Sequence, residues 1–215
     1  LRLLPKGYSV YSEMDAEEAE KAGLSVRKDV TRDRRLDVYE EELVLRALGG
    51  EHLPGKLRPL QPDPQARMFL LLVLDTGLRM KEAYPLRVSQ IDFVRGFIRV
   101  EGSKGHRGTI KPRTVPMKPT IAATLRAWCG SRVGLVFDYW DGRKESRTRT
   151  SSQLTSRFRS LFRHCDVPDM KEHDLRHEAC CRWFELRGKD GRWVFSDMEI
   201  CKIMGWTDYS MSENT

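Results

Sequence analysis

Apolar residues recur every three or four positions along most of the chain, which is the spacing of one face of an α-helix. The pattern predicts helices over residues 37–48, 65–75, 120–129, 152–163, 172–186 and 197–204, with a short helix that begins at 78–79 and continues to 86. Asp37 has the residue type of a helix N-cap, and Gly49 and Gly77 stand where helices are expected to end. The pattern therefore predicts a mainly helical chain.

The pattern changes between residues 88 and 117, where short β-branched and aromatic segments alternate with turn residues. Strands are predicted at 91–93, 97–100 and 114–116, separated by a turn at 94–96 and a long basic hairpin at 102–112. The predicted fold class is therefore α+β and mainly α, with a small three-stranded antiparallel sheet.

Two polar segments fall outside this core pattern. Residues 1–33 hold a polar helical run followed by basic residues, so we interpret them as a lead-in to a domain over 34–215. Residues 141–152 are charged and rich in Gly, Ser and Thr, which predicts an exposed basic loop before the helix at 152–163. Because the chain starts at Leu1 and reaches Thr215 without an evident terminator, we expect it to be a fragment of a longer protein.

Composition narrows the partner and the compartment. The net charge is +7, from 38 Lys and Arg against 31 Asp and Glu, which favours a polyanionic partner. The five cysteines form no C-x-x-C pair, so reduced thiols and a cytoplasmic location are expected. No apolar run approaches the roughly 18 residues of a membrane span. These features count against a secreted disulfide scaffold and against a membrane protein.

The segment Glu172-His173-Asp174-Leu175-Arg176-His177 concentrates the candidate chemistry. Residues three and four apart are neighbours on a helix, so His173, Arg176 and His177 share a face that can grip an anion. Zinc binding by the two histidines is an alternative, although Arg176 between them opposes a cation. A capping histidine with a salt-bridged arginine is the second alternative.

Three further positions carry candidate chemistry, each beside a simpler interpretation. Arg79 follows Thr76-Gly77-Leu78 and has Glu82 one turn later, which describes either an oriented guanidinium or an ordinary surface ion pair. Lys104 opens the basic hairpin and can donate a proton, with Lys111 and Arg113 as rivals for that role, or it belongs to a solvated charge cluster. Trp206 follows Gly205 and is either plain core or an indole N–H donor.

Four motifs follow one another along the chain: Thr76-Gly77-Leu78-Arg79 with Glu82, a small sheet carrying Lys104, His173-Asp174-Leu175-Arg176-His177, and Met204-Gly205-Trp206. In this order they resemble the catalytic domain of the tyrosine recombinases, also called phage integrases. The resemblance covers residues 34–215. It implies that residues 1–33 are the linker from a missing N-terminal DNA-binding domain, and that the C-terminal tail is truncated.

The resemblance implies a transesterification in which a tyrosine forms a 3′-phosphotyrosyl link to DNA and frees a 5′-hydroxyl, with no cofactor and no metal. Arg79 and Arg176 would neutralise the non-bridging oxygens of the pentavalent transition state. Lys104 would protonate the leaving 5′-oxygen, and His173 would assist proton transfer with the nucleophile. The implied activity is that of a site-specific DNA recombinase or integrase.

The resemblance gives the remaining site residues supporting roles. Trp206 would donate its indole N–H to a phosphate oxygen, Glu82 would support Arg79, and His177 is expected to support the site. Double-stranded DNA would be held by a set of basic residues, and the protein would assemble as a tetramer on it. The predicted DNA-binding residues are Arg107, Lys111, Arg113, Arg143, Lys144, Arg147, Arg149 and Arg157.

The nucleophile is the main departure from the family pattern. The family places its tyrosine roughly nine residues after the His/Trp position, which here falls at Thr215. We expect the tyrosine just beyond Thr215; Tyr209, a replaced or deleted tyrosine, and a natively inactive domain are the alternatives. Two other functions stay open, a type IB topoisomerase and a catalytically inactive integrase-derived DNA-binding module. A cytoplasmic protein, associated with the nucleoid if prokaryotic or phage-encoded, is expected in each case.

Overall fold

The computed structural model describes residues 34–102 and 112–206, and the backbone of Lys104–Gly105 and Gly108–Thr109 in the hairpin between them. The predictions for residues 1–33, Arg107, Lys111, Tyr209 and Thr215, and for the side chain of Lys104, lie outside the described residues.

Helices are the main regular structure of the described chain. In that part, seven α-helices run in the order α1 (Val38–Leu48), α2 (Pro64–Thr76), α3 (Met80–Ala83), α4 (Pro119–Cys129), α5 (Arg147–His164), α6 (Glu172–Glu185) and α7 (Asp197–Met204). Single 3-10 turns lie at Val88–Gln90 and Lys144–Ser146. None of the described helices is both long and apolar enough to cross a membrane. The predicted helices are confirmed, except that α3 ends before the predicted residue 86 and α5 begins before the predicted residue 152.

Local capping explains where the first helices begin and end. Asp37 caps α1, and its own N–H donates to Glu40 Oε2 at 3.0 Å. Asp63 caps α2 by accepting from Ala66 N–H at 3.0 Å. Gly77 ends α2 in the left-handed region, with φ of 64°. Of these, the Asp37 cap and the helix end at Gly77 were predicted from the sequence.

The predicted antiparallel sheet is confirmed. Strands β1 (Ile91–Asp92), β2 (Phe97–Val100) and β5 (Arg113–Pro116) pair in the order β1-β2-β5. Between β2 and β5 the chain makes the hairpin, in which β3 (Lys104–Gly105) pairs antiparallel with β4 (Gly108–Thr109). The sheet therefore delivers the backbone of the hairpin lysine from the end of a core strand.

Helix α2 is the centre of the hydrophobic core. It packs against α6 and also against α1, α3 and α4. Phe69, Leu70, Leu72 and Leu74 are almost completely buried although they point in different directions around the helix. Burial of each such side chain stabilises the fold by about 1.5–3 kcal/mol. The pairing of α2 with α6 matters most for function, because both helices carry predicted site residues.

The segment before α1 is fastened to α6 by a buried carboxylate. Glu178 accepts from Arg35 Nε and Arg182 Nε, each at 2.8 Å, and from the backbone N–H of Leu36 at 3.1 Å. Burial would raise the pKa of Glu178, but these hydrogen bonds and the charge of Arg182 outweigh it and hold the pKa at about 2. Glu178 thus fixes the start of the domain on α6.

The predicted start of α5 is wrong. Residues 141–152 were predicted as an exposed loop, whereas α5 already begins at Arg147. The segment contains no glycine or proline after residue 142, and arginine is a good helix former. The helical turn is anchored by buried Thr150 and by the Arg147 guanidinium, which lies 5.0 Å from the centroid of the Trp140 ring. The charged residues and serines of this segment led to the wrong prediction of a loop.

Candidate active site

The candidate active site lies at the C-terminal end of α2. Gly77 turns the chain in the left-handed conformation, so that Arg79 immediately precedes the short helix α3. A side chain at Gly77 would come within 3.0 Å of Cε and Sδ of Met204 at the end of α7. The glycine therefore permits both the turn and the close approach of two helix ends.

Arg79 and Glu82 are joined as the sequence predicted. The guanidinium Nη1 of Arg79 lies 3.2 Å from Glu82 Oε1, and the backbone N–H of Arg79 donates to Glu82 Oε2 at 2.8 Å. The Arg79 side chain is 34% exposed. Glu82 thus orients the Arg79 side chain, and part of that side chain stays exposed to solvent.

Arg176 is buried at the junction of two helix ends. Its residue is only 5% exposed, and its guanidinium donates to the carbonyl oxygens of Gly77 and Met204. Carbonyls at helix C-termini lack intrahelical partners and lie at the negative end of the helix dipole. Arg176 therefore joins α6 to the ends of α2 and α7 and satisfies both of them.

His173 lies one turn before Arg176 on α6 and reaches the surface. Partial burial of its ring, together with the positive charges of Arg176 and Arg79, lowers the pKa of His173 below its usual value. His173 is thus neutral at physiological pH and can accept a proton. His177 lies one turn further on, with Nε2 3.7 Å from Cys181 Sγ.

The electrostatics of the junction favour an anion. Burial and the charges of Arg79 and Arg113 lower the pKa of Arg176 to about 9, so the guanidinium remains cationic at neutral pH. Burial would raise the pKa of Glu82, yet hydrogen bonds and charge from Arg113 and the N–H of Arg79 hold it at about 2. Arg79 and Arg113 thus bind one ionised carboxylate, while the charge of Arg176 lies near it without a hydrogen bond to balance it. A phosphate oxygen would balance the excess positive charge.

Arg113 differs from its predicted role. It was predicted to contact DNA, but its side chain is only 7% exposed and its guanidinium binds both oxygens of Glu82, at 2.9 and 2.8 Å. The reason is strand geometry: Arg113 alternates with exposed Thr114 and shares the inward face of β5 with buried Val115. Period-two alternation in the sequence was the signal for this placement. We therefore remove Arg113 from the DNA-binding set.

Trp206 follows the other helix end of the site. Gly205 closes α7 in the left-handed region with φ of 69°, and the backbone N–H of Trp206 donates to Cys201 O at 2.9 Å. The Trp206 side chain is partly buried and packs against the core. Trp206 therefore lies two residues past Met204, whose carbonyl Arg176 binds.

The predicted DNA-binding residues before and within α5 lie on the surface. Arg143, Lys144, Arg147, Arg149 and Arg157 are exposed, and the residues of α5 include no acidic side chain. Arg157 is ion-paired with Asp63. The surface is linked to the site, because Thr155 Oγ1 of α5 donates to Glu172 Oε1 at 2.9 Å, next to His173.

No metal site accompanies these groups in the described residues. Nowhere in that part of the chain do three or more His, Cys, Asp or Glu side chains come together as metal ligands would. The cations of the junction also oppose binding of a metal ion.

A model of the phage integrase family matches residues 61–214. That range spans more than half of the 215 residues. The chain belongs to the phage integrase family. The predicted family membership is confirmed, and each motif from Arg79 to Trp206 falls inside the matched range.

Individual relatives of this integrase-family chain agree with the match. A shufflon-specific DNA recombinase of Escherichia coli is 29% identical over 181 residues, covering 84% of this chain and 39% of the relative. Tyrosine recombinase XerA of Pyrococcus furiosus is 25% identical over 198 residues, covering 89% of this chain and 66% of the relative. The chain thus spans less than two thirds of the length of either relative.

Solved structures confirm the predicted fold class. The Tn1549 transposon integrase in complex with transposon right end DNA superposes with a TM-score of 0.60 at 17% identity, covering 88% of this chain and 63% of that one. The catalytic domain of bacteriophage HP1 integrase gives a TM-score of 0.53 at 16% identity, covering 83% of each chain. The chain therefore has the helical fold of an integrase catalytic domain.

Proposed function

We propose that the chain is the catalytic domain of a site-specific DNA recombinase, which cuts and rejoins duplex DNA through a 3′-phosphotyrosyl intermediate. The observation that carries the proposal is a cluster of three arginines near Glu82. Arg79 and Arg113 bind the Glu82 carboxylate, and Arg176 adds a third positive charge beside it. Family membership and the named activities of the relatives support it.

Arg79 and Arg176 bind the two non-bridging oxygens of the scissile phosphate. Negative charge grows on these oxygens as the phosphorus becomes pentavalent, and preorganised guanidinium donors stabilise that charge without moving. Arg176 is suited to this because two backbone carbonyls fix it, and Arg79 because Glu82 orients it. Positioning and electrostatics supply most of the catalysis in such phosphoryl transfers.

His173 assists proton transfer with the nucleophile, since the lowered pKa leaves its imidazole neutral and able to accept a proton. Lys104 protonates the leaving 5′-oxygen from the hairpin, and Trp206 donates its indole N–H to a phosphate oxygen. The nucleophile is a tyrosine just beyond Thr215, with Tyr209 as the alternative. His177 supports α6 beside Cys181. The reaction needs no cofactor, because each step exchanges one phosphate ester for another.

Double-stranded DNA binds across the surface formed by residues 143–157, together with Arg107 and Lys111 of the hairpin. Exposed arginines and lysines on this surface neutralise backbone phosphates and position the duplex. The complete protein assembles as a tetramer on its sites and acts in the cytoplasm. Residues 1–33 form the lead-in from an N-terminal DNA-binding domain, and 34–215 the catalytic domain.

The test is capture of the covalent intermediate. The full-length protein is incubated with a random library of nicked duplexes, in which cleavage beside the nick releases a short oligonucleotide and traps the adduct. Complexes that survive denaturing electrophoresis are digested with nuclease, and mass spectrometry identifies the modified residue. We expect a tyrosine linked to a 3′-phosphate, and the selected duplexes give the target site.

Two variants on the same helix provide the control. Arg176→Lys is expected to reduce adduct formation more than about 100-fold, because a lysine cannot replace a guanidinium that bridges two carbonyls. Arg182→Lys, which keeps an ion-paired cation on α6, is expected to retain it. Tight binding without any adduct would indicate a DNA-binding module. Relaxation of any supercoiled plasmid without strand exchange would indicate a topoisomerase; either result contradicts the proposal.

A further inference from the structure

Arg113 has no place in the proposed chemistry, yet its guanidinium lies where three elements of the site meet. It starts β5, its two terminal nitrogens bind the Glu82 carboxylate of α3, and its Nε donates to Ile203 O of α7 at 2.8 Å. All three guanidinium nitrogens of Arg113 therefore donate to groups of the site. Such a residue transmits position rather than contacting DNA.

We infer that Arg113 is a positioning residue, which holds Arg79 through Glu82 and holds the end of α7 in the geometry that a bound phosphate requires. The inference rests on the proposed function, because the phosphate is that of the scissile DNA bond. It assigns a role to an arginine outside the motifs that the sequence identified.

The first link is the shared carboxylate. Glu82 Oε1 accepts from Arg113 at 2.9 Å and from the Arg79 guanidinium at 3.2 Å, while Oε2 accepts from Arg113 and from the Arg79 backbone, both at 2.8 Å. Glu82 is therefore clamped from both sides. Without Arg113 the carboxylate is held by Arg79 alone, so the orientation of the Arg79 guanidinium is less fixed.

The second link is the end of α7. Arg113 Nε binds the carbonyl of Ile203, and the next carbonyl, of Met204, accepts from Arg176. A Cβ at Gly205 would come within 3.0 Å of Arg113 Cδ and 3.1 Å of its Nε, so the arginine stem packs directly on this turn. Arg113 thus fixes the turn that aligns one acceptor of Arg176 and leads into Trp206.

The third link is the sheet. Arg113 pairs with Val100 in the β2–β5 ladder, so its Cα is fixed by the core strand that precedes the hairpin. The same ladder delivers the backbone of Lys104 from the other end of the hairpin. The Arg113 side chain therefore fixes the position of the hairpin that carries Lys104 relative to Arg79 and Arg176.

A positioning role makes the site sensitive to pH when Arg113 is removed. The charged groups that face Glu82 are Arg79 just before α3, Arg113 on β5 and Arg176 on α6. With Arg113 gone, burial of Glu82 acts against fewer hydrogen bonds and its pKa rises. Glu82 then takes up a proton as the pH falls and releases Arg79. The wild-type carboxylate stays ionised over the same range.

The test compares Arg113→Met and Arg113→Lys with the wild type in the full-length protein, measuring single-turnover adduct formation against pH. We expect Arg113→Met to reduce the maximal rate about 100-fold and to leave the duplex dissociation constant within about two-fold, because misplacing a catalytic group by about 1 Å costs that much. We expect the remaining rate to fall further as the pH is lowered. Arg113→Lys, which keeps the charge, is expected to restore about ten-fold of the rate.

Arg132→Met is the matched control, because Arg132, like Arg113, is ion-paired with a carboxylate, that of Asp138. It is expected to leave the rate and its pH profile unchanged. The double variant Arg113→Met/Glu82→Gln leaves no buried unpaired carboxylate, so it is expected to fold even if the single variant does not. In it the rate stays low while the added pH dependence disappears.

The outcomes separate the two proposals. A wild-type rate and pH profile for Arg113→Met overturns the inference and leaves the proposed function standing. If the wild type forms no adduct, the proposed function fails, and the inference is then tested by calorimetric titration with inorganic tungstate as the anion. Binding about ten-fold weaker in Arg113→Met would support the positioning role. Equal affinity, or no tungstate binding by the wild type, would overturn it.

Discussion

Replacement of Gly77 by alanine tests whether the junction of α2 and α7 depends on a missing side chain. Gly77 combines a φ of 64° with a close approach: its Cβ would lie 3.0 Å from Met204 Cε and Sδ and 3.4 Å from Ala179 Cβ. Gly55 has a similar φ of 75° but nothing within 4 Å of the position of its Cβ. Comparing Gly77→Ala with Gly55→Ala therefore separates the effect of backbone strain from the effect of crowding.

The magnitudes follow from these two geometries. A left-handed conformation costs an alanine about 1–2 kcal/mol, of which about 0.4–1 kcal/mol is offset because the unfolded chain loses entropy. We therefore expect Gly55→Ala to lower the free energy of unfolding by about 1 kcal/mol. In Gly77→Ala the end of Met204 must also shift, which adds about 1–2 kcal/mol of overpacking. The expected total is about 2–3 kcal/mol.

The assay is reversible urea unfolding of both variants, with the wild type as reference. For a chain of this length, about 2–3 kcal/mol corresponds to a fall in Tm of about 4–12 °C. A second measurement combines Gly77→Ala with Met204→Ala. The double variant should be less destabilised than the sum of the single variants by about 1 kcal/mol, since the crowded atoms are gone.

Equal destabilisation by Gly55→Ala and Gly77→Ala would refute this reasoning. The approach of Met204 would then contribute nothing to the requirement for glycine. Additivity of the double variant would point the same way, because it would show that the two sites do not touch.

Three further predictions concern charge. Glu178→Gln should remove about 3 kcal/mol of unfolding free energy at neutral pH, because the pKa of Glu178 lies at about 2 in the fold against about 4.3 in an unfolded chain. A depressed carboxyl pKa stabilises the fold above the unfolded pKa, so this difference should vanish as the pH falls from about 4.5 to 2 in urea titrations. Arg149→Ala should reduce the slope of log affinity for duplex DNA against log salt by about 1, whereas Arg132→Ala should leave it unchanged. Adduct formation should decline below the lowered pKa of His173, and His173→Asn should reduce the rate and abolish that decline; an unchanged acid limb in the variant would exclude His173 as its source.

The sequence predicted the elements of this fold because their determinants are local. Asp37 caps α1, Gly77 ends α2, and the alternating segment of residues 91–116 forms the sheet. The two helix ends depend on neighbours within a few positions, and each strand shows a local alternation of residue types, so a pattern of residue types records both. The start of α5 was missed because Arg147 is stabilised by Trp140, a contact that residue types alone do not specify.

The candidate site was predictable only in part. Arg79 with Glu82 is an i, i+3 pair and visible in the sequence, and the motif order supplied Arg176. The contacts of Arg176 with Gly77 and Met204 join residues 99 and 28 positions apart, so only the packing of α2, α6 and α7 creates them. Arg113 was assigned by its charge, although its strand alternation with Val115 indicated an inward side chain.

Arg176 is held by main-chain oxygens, and this gives the site an unusual tolerance. Every residue type carries a carbonyl, so exchanging the side chain at position 204 leaves the acceptor in place. Insertion or deletion of one residue in α7 would instead shift its end by about 1.5 Å and rotate it by about a quarter turn. The length of this helix is therefore constrained far more strictly than its composition, and indel scanning should find a boundary here that substitution scanning overlooks.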